Sequence, residues 1–169
     1  MNNPKSIIGS TELVEICGVK NIPAKIDTGA DSSTIWVSDI NIGKDGVLTF
    51  VLFGKKSPLY TGEQLSVTDY QTKIVRSSNG HEQIRYCTLL DLTLGGKTLK
   101  TVFTLSDRSK NHFPVLIGRY TLKDGDFLVD VKKESIPRSN RSKTPRLNKE
   151  LQEDPHAFHK KYFNNGGRK

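Results

Sequence analysis

The residues of this chain best suited to chemistry lie in one run, Lys25-Ile26-Asp27-Thr28-Gly29-Ala30-Asp31-Ser32-Ser33-Thr34-Ile35. An acid at the end of an apolar segment must have its charge managed by pairing, hydrogen bonding or protonation. Thr28 offers a hydroxyl to a neighbouring backbone, and Gly29 removes the side chain where a second backbone or a substrate must come close. Asp and Gly are also ordinary turn residues, so Asp27 taken alone could simply cap a turn. The other reactive residues are scattered. Cys17 and Cys87 lack metal-ligand spacing and read as buried free thiols. His81 and His112 fall in a hairpin tip and a loop and read as solvated, although His81 could touch a substrate. His156 and His159 could hold a metal only with further ligands. There is no Gly-x-x-x-x-Gly-Lys-Ser/Thr loop and no His-Glu-x-x-His pair, so we expect neither a cofactor nor a metal.

Strands must position that run. Ile22, Ala24 and Ile26 alternate with Pro23 and Lys25, which predicts a half-buried strand delivering Asp27 to its end. Beyond the turn, Thr34-Ile35-Trp36-Val37 is strand-like, with Trp36 as a core anchor. Upstream, Ile7, Ile8, Leu13, Val14 and Ile16 mark one or two strands over 6–17, broken near Gly9-Ser10. Val47 to Phe53 reads as a strand, and 54–69 as a polar loop with Pro58 and Gly62 as breakers. Gln71 to Ser78 and His81 to Leu94 flank Asn79-Gly80, a pair that accepts positive φ at both residues and so predicts a two-residue hairpin turn. That turn sets Arg76 opposite Gln83 and Val75 opposite Ile84. The alternation Ile84, Tyr86, Thr88, Leu90, Leu92, Leu94 predicts one apolar face. Gly95-Gly96 predicts a second hairpin into Thr98 to Leu105. A polar loop over 106–113 follows, then a buried strand from Pro114 to Arg119 ending at Gly118, one helical turn at Tyr120 to Lys123, and a last strand from Phe127 to Val131. Many short strands with almost no helical periodicity make the chain all-β, as a sandwich or small barrel.

The six residues Asp27 to Ser32 closely resemble the active-site signature of retroviral-type aspartic proteases, Asp-Thr-Gly-Ala-Asp-Ser. Val115-Leu116-Ile117-Gly118-Arg119 matches that family's late apolar-apolar-Gly-Arg element, and the Asn79-Gly80 hairpin lies where the family keeps its flap. Ile8-Gly9 and Ser77-Ser78-Asn79-Gly80-His81 make the chain most similar to bacterial and archaeal single-domain relatives. Some of those carry an ATP-dependent zinc protease label that these residues do not support. The resemblance implies an all-β, closed acid-protease (retropepsin-like) barrel, one lobe per chain, acting as an aspartic endopeptidase on a peptide or protein substrate. It implies Asp27 as the catalytic acid, with Thr28, Gly29 and Ala30 as its support. It also implies Asp31 paired with Arg119, and Ser78, Asn79, Gly80 and His81 as the flap tip. In such enzymes two carboxylates share one proton. The ionised one activates water and the protonated one hydrogen-bonds the scissile carbonyl. Like charges about 3 Å apart do not both ionise readily, so the pair's apparent pKa values split, and activity is expected on the acidic side of neutral. This chain has only one Asp-Thr-Gly: Asp31-Ser32-Ser33 lacks the Gly, and Asp124-Gly125-Asp126 lacks the Thr. A dyad therefore implies a homodimer with Asp27 and its copy on the two-fold axis. The chain departs from the compact viral enzymes in the extra residues of 54–69 and in a hairpin, Arg76 to Arg85, more polar than a Gly-rich flap.

The totals bound the rest. A chain of 169 residues buries one good core, and we expect a protease domain at 1–131 followed by an appendage at 132–169. The formal charge of +8 sits almost wholly in that appendage, which holds 11 Lys+Arg against 4 Asp+Glu, whereas 1–131 holds 15 against 14. Ser135 to Arg146 is rich in Pro, Ser and Arg, and Asn164-Asn165-Gly166-Gly167 is flexible in composition. Leu147, Leu151, Phe158, Tyr162 and Phe163 could form a marginal amphipathic helix interrupted at Pro155, so a largely disordered basic tail is expected. Such a tail could attach to nucleic acid or an anionic surface, and a non-catalytic dimerisation or adaptor module is the rival to the enzyme. No apolar run approaches the roughly 20 residues of a membrane span, and the first residues are not a signal peptide, which gives a cytoplasmic expectation.

Overall fold

The structure, a computed structural model, describes residues 5–77, 79–137 and 143–163. In chain order its elements are β1 Ser6–Ile16, β2 Val19–Asp27, β3 Ser33–Ile42, β4 Leu48–Leu52, β5 Gln64–Val67, β6 Tyr70–Arg76, β7 Glu82–Leu94, β8 Lys97–Ser106, β9 Val115–Gly118, α1 Arg119–Asp124, β10 Phe127–Glu134, α2 Thr144–Glu153 and α3 Pro155–Tyr162. Strands β1, β2, β9, β3, β8 and β7 are hydrogen-bonded in that order, and β7 returns to β1 through Glu15–Thr93 and Ile16–Leu92. The result is a closed six-stranded mixed barrel, with β6, β10 and the β4–β5 pair attached to it. The all-β expectation holds, and closure selects the barrel over the sandwich. The interior is filled by wholly buried residues such as Ile16, Ile22, Ile35, Phe50, Phe103 and Ile117. Each contributes roughly 1.5–3 kcal/mol over an exposed position.

Two local expectations are corrected and one holds: β1 is a single strand over 6–16, irregular where the break was expected, with a register shift between Gly9 and Thr11. Gly9 is required there because a Cβ would lie 2.5 Å from the Lys133 carbonyl oxygen of the neighbouring β10. The polar stretch 54–69 contains a strand, β5, which pairs with β4 and packs Leu65 and Val67 on the core. Its four residues are too short to show a period between Pro58 and the next strand. The first hairpin is also out of the expected register by one residue: Arg76 faces Glu82, Val75 faces Gln83 and Ile74 faces Ile84. Ser77 N donates to His81 O and Gly80 N to Ser77 O, so the connection is longer than the two residues expected. Such a loop needs one left-handed position, and Gly80 at φ +80° supplies it without Asn79. The two-residue turn with both residues at positive φ occurs instead at Gly95-Gly96, between Leu94 and Lys97.

The apolar face of β7 also ends early. Leu90, Leu92 and Leu94 are buried, but Ile84 is 73 % exposed, because the hairpin arms rise beyond the barrel. The chain divides into two units, Met1–Ile136 and Pro137–Lys169. β10 runs to Glu134, past the boundary expected at 131. In the second unit two helices stand where a largely disordered tail was expected. Pro155 ends one and opens the other, since a proline at the first helical position loses no hydrogen bond. No described helix is long and apolar enough to cross a membrane.

Candidate active site

Asp27 is the last residue of β2, and its neighbour across the parallel pairing is Gly118, the last residue of β9. The two central strands thus end side by side at one mouth of the barrel. After Asp27 the chain turns back on itself: Ala30 N donates to the Asp27 carbonyl at 3.3 Å. Asp27 Oδ1 accepts from Gly29 N at 3.1 Å and Ala30 N at 3.2 Å. Thr28 and Gly29 are exposed, Ala30 half-buried. The first backbone N–H groups of α1, which a helix cannot satisfy internally, close the loop. Arg119 N donates to Ala30 O at 2.8 Å and Tyr120 N to Asp31 O at 3.2 Å.

Beneath the loop runs a chain of buried hydroxyls. Gly118 N donates to Ser33 Oγ at 3.0 Å, Ser33 Oγ lies 2.7 Å from Thr121 Oγ1, and Thr121 Oγ1 lies 2.8 Å from Thr101 Oγ1. It links β9, β3, α1 and β8. Thr34 and Thr104 make a second pair at 2.8 Å. Buried hydroxyls need partners, and here they are each other's. None of this was legible in the sequence, because Ser and Thr at these positions look like ordinary strand residues.

Asp27, Gly29, Ala30, Asp31 and Ser32 line a cleft of about 750 Å³ whose opposite wall is β6 with Arg85 of β7. The hairpin arms reach the cleft, whereas Asn79, Gly80 and His81 at the tip are exposed and are not among its lining residues. Ser78, expected at the tip, lies outside the described residues. Lys73 of β6 donates to Ser32 Oγ and sits 5.6 Å from the Tyr120 ring centre, tying the hairpin base to the Asp27 loop. Arg119 Nε meets Asp31 Oδ1 at 2.6 Å as expected, but the two side chains are 59 % and 52 % exposed. An exposed pair of this kind contributes about 0.2–1 kcal/mol.

Two cleft cations were not anticipated. Burial pushes the Arg108 guanidinium below the usual arginine range, the neighbouring Arg85 adds to the shift, and the Asp27 charge opposes it. Burial does the same to Arg85. Among the described residues neither is paired with a carboxylate. Arg85 Nε donates to Gln83 Oε1 and Arg108 Nε to the Phe113 carbonyl. The polarity of the hairpin hinted at Arg85; Arg108 was hidden in what read as an indifferent loop. Among the described residues no group of three or more His, Cys, Asp and Glu side chains could hold a metal ion.

Comparison with known proteins fits this geometry. The RimB-like family, described as "Retropepsin-like aspartic endopeptidase RimB", matches residues 7–140. A Shewanella pealeana protein named "Probable alpha-L-glutamate ligase" is 30 % identical over 137 residues, which are 77 % of this chain and 29 % of that protein. A Desulfotalea psychrophila protein of the same name is 28 % identical, over 71 % of this chain and 27 % of its own length. The chain thus spans less than a third of these curated relatives. A crystal structure of a Legionella pneumophila protein of unknown function superposes with a TM-score of 0.55 at 26 % identity, covering 76 % of this chain and 95 % of that one. The names these relatives carry are glutamate ligase and aspartic endopeptidase, not the ATP-dependent zinc protease label of the sequence resemblance. With the match running through both the Asp27 loop and the β9 strand that backs it, the chain belongs to the RimB-like family of retropepsin-like proteins.

Proposed function

We propose that this chain is one half of an aspartic endopeptidase that cleaves acidic peptides. The observation that carries the reading is Asp27, an acid at the end of a buried strand, bent over its own turn and open to a cleft of about 750 Å³. The other acid of that loop, Asp31, is engaged by Arg119, so Asp27 needs a carboxylate partner from outside the chain. In this reading a second copy supplies it. The ionised member of the pair takes a proton from water as the water oxygen attacks the scissile carbonyl carbon. The protonated member hydrogen-bonds the carbonyl oxygen. When the tetrahedral intermediate collapses, the carbon–nitrogen bond breaks and the nitrogen leaves with a proton from the pair. The exposed Thr28 hydroxyl is available to the second copy's loop, and Gly29 allows the approach.

Arg85 and Arg108 support the choice of substrate. Two partly desolvated guanidiniums that form no ion pair among the described residues suit a ligand that brings a carboxylate, and the guanidinium fork matches carboxylate geometry. The glutamate ligase name of the relatives points to the same side chain. The test is cleavage of a glutamate-rich peptide against a lysine-rich one of equal length, with dimer mass followed by light scattering. Asp27→Asn should abolish cleavage with the fold intact. Arg108→Ala should raise KM for the acidic peptide by about tenfold or more, the worth of one charged hydrogen bond. Wild-type turnover by Asp27→Asn would refute the dyad, and equal cleavage of both peptides would refute the acidic subsite. The ligase relatives favour a second reading, a non-catalytic module that presents acidic peptide to another enzyme. It predicts binding of the acidic peptide by the dimer with no cleavage at all.

A further inference from the structure

The second unit, Pro137–Lys169, lies almost wholly beyond the family match, which ends at residue 140. Family membership therefore does not account for it. It carries nine Lys and Arg against three Asp and Glu. Each of those acids is already engaged within the unit. Glu150 accepts from Lys161 Nζ and, at 3.0 Å, from the Tyr162 hydroxyl. Glu153 lies 3.8 Å from Lys149 Nζ, and Asp154 caps α3 by accepting from Ala157 N at 2.9 Å. Among the described residues Lys143, Arg146 and Lys160 are exposed and form no ion pair within 4 Å.

Beside these cations stands a row of rings. Phe158 and Tyr162 approach to 4.7 Å, and His159 stacks on Phe163 at 5.3 Å with 14° between the planes. Phe163 is 68 % exposed and Tyr162 41 %. Neither helix buries a single residue, so the rings do not form a core. What completes such a surface must bring negative charge and flat apolar faces together. An anionic lipid surface brings the charge without a plane to stack, and a duplex keeps its base faces inside.

We propose that α2 and α3 form a docking surface for single-stranded nucleic acid, with phosphates on Lys143, Arg146 and Lys160 and bases stacked on Tyr162 and Phe163. Binding does not depend on Asp27. The test is fluorescence anisotropy of the full chain with a labelled oligouridine of about 20 nucleotides, a duplex of the same length and phosphatidylserine-containing vesicles. The salt range is about 50 to 200 mM. The single strand should bind most tightly. The triple variant Lys143→Ala, Arg146→Ala, Lys160→Ala should weaken it at least about tenfold and make the log–log salt slope shallower by about 2, near 0.7 per lost phosphate contact. Phe163→Ala should weaken it about tenfold with the slope unchanged. Absence of single-strand binding, tighter binding to duplex or vesicles, or a triple variant that binds as the parent does would each overturn the proposal.

Discussion

Gly118→Ala tests whether the Asp27 loop is held by close backbone approach. A Cβ on Gly118 would lie 2.5 Å from the Ser32 carbonyl carbon, 2.6 Å from its oxygen and 2.9 Å from the Asp31 oxygen. All three atoms are backbone, so no side chain can swing aside. Torsion is not the obstacle, because Gly118 sits at φ −86° and ψ 170°, where alanine is comfortable. Alanine even gains about 0.4–1 kcal/mol by restricting the unfolded chain. Against this stands an overpacking cost of about 3 kcal/mol, at the upper end because backbone must move. The net destabilisation is about 2 kcal/mol. For a unit of this size, with unfolding entropy near 2.1 cal/mol/K per residue, that lowers Tm by about 7 °C. Thermal unfolding followed by circular dichroism reads the shift. Because the clash falls on Asp31 and Ser32, the proposed cleavage of acidic peptide should also drop by more than the unfolded fraction accounts for. A variant with parental Tm and parental cleavage would refute the claim that this glycine sets the loop.

Three further outcomes are expected. Ser33→Ala removes the acceptor of Gly118 N and a partner of Thr121 in a wholly buried site; chemical denaturation should show a loss of about 1–3 kcal/mol. Gly80→Ala should destabilise the hairpin by about 1 kcal/mol because of its φ of +80°, whereas Asn79→Ala should be close to neutral, as amide exchange across β6 and β7 can show. The Asp107 carboxyl is held below its ordinary value of 3.8, first by the backbone N–H of Ser109. A depressed folded-state pKa gives stability that is present above the unfolded value and lost as the pH falls through the folded one. Asp107→Asn should therefore flatten the acid limb of a stability–pH curve below about pH 4 by lowering stability at neutral pH, with little change where the carboxyl is already protonated.

What could be read from the amino acids was whatever they repeat or spell out. The alternation around Ile22, Ala24 and Ile26 placed Asp27 at a strand end, and Val115 to Gly118 read as a buried strand, but nothing in the sequence set the two side by side in parallel. The register of the Asn79-Gly80 hairpin was misjudged because Asn-Gly permits two loop lengths, and cross-strand preferences beyond the turn decide between them. β5 was missed because a four-residue strand is stabilised by its partner β4 rather than by its own pattern. Arg108 could not be found, since its place on the cleft near Asp27 arises from the folding of a loop without a pattern of its own. The Ser33–Thr121–Thr101 chain joins three distant segments and leaves no periodic trace.

The side-by-side ending of β2 and β9 has a kinetic consequence. Residues 27 and 118 pair in parallel, so the loop of Asp27 has no backing until the ribosome has released the chain well past Gly118. β10, which clamps β1, comes later still. Pairings so distant along the chain fold slowly, because the entropy of closing the intervening segment is lost before any contact compensates it. A nascent or truncated polypeptide lacking β9 and β10 holds Asp27 at the end of β2 without its parallel neighbour and without the α1 amides that close the loop. The architecture therefore delays the competence of the site until synthesis of the barrel is complete.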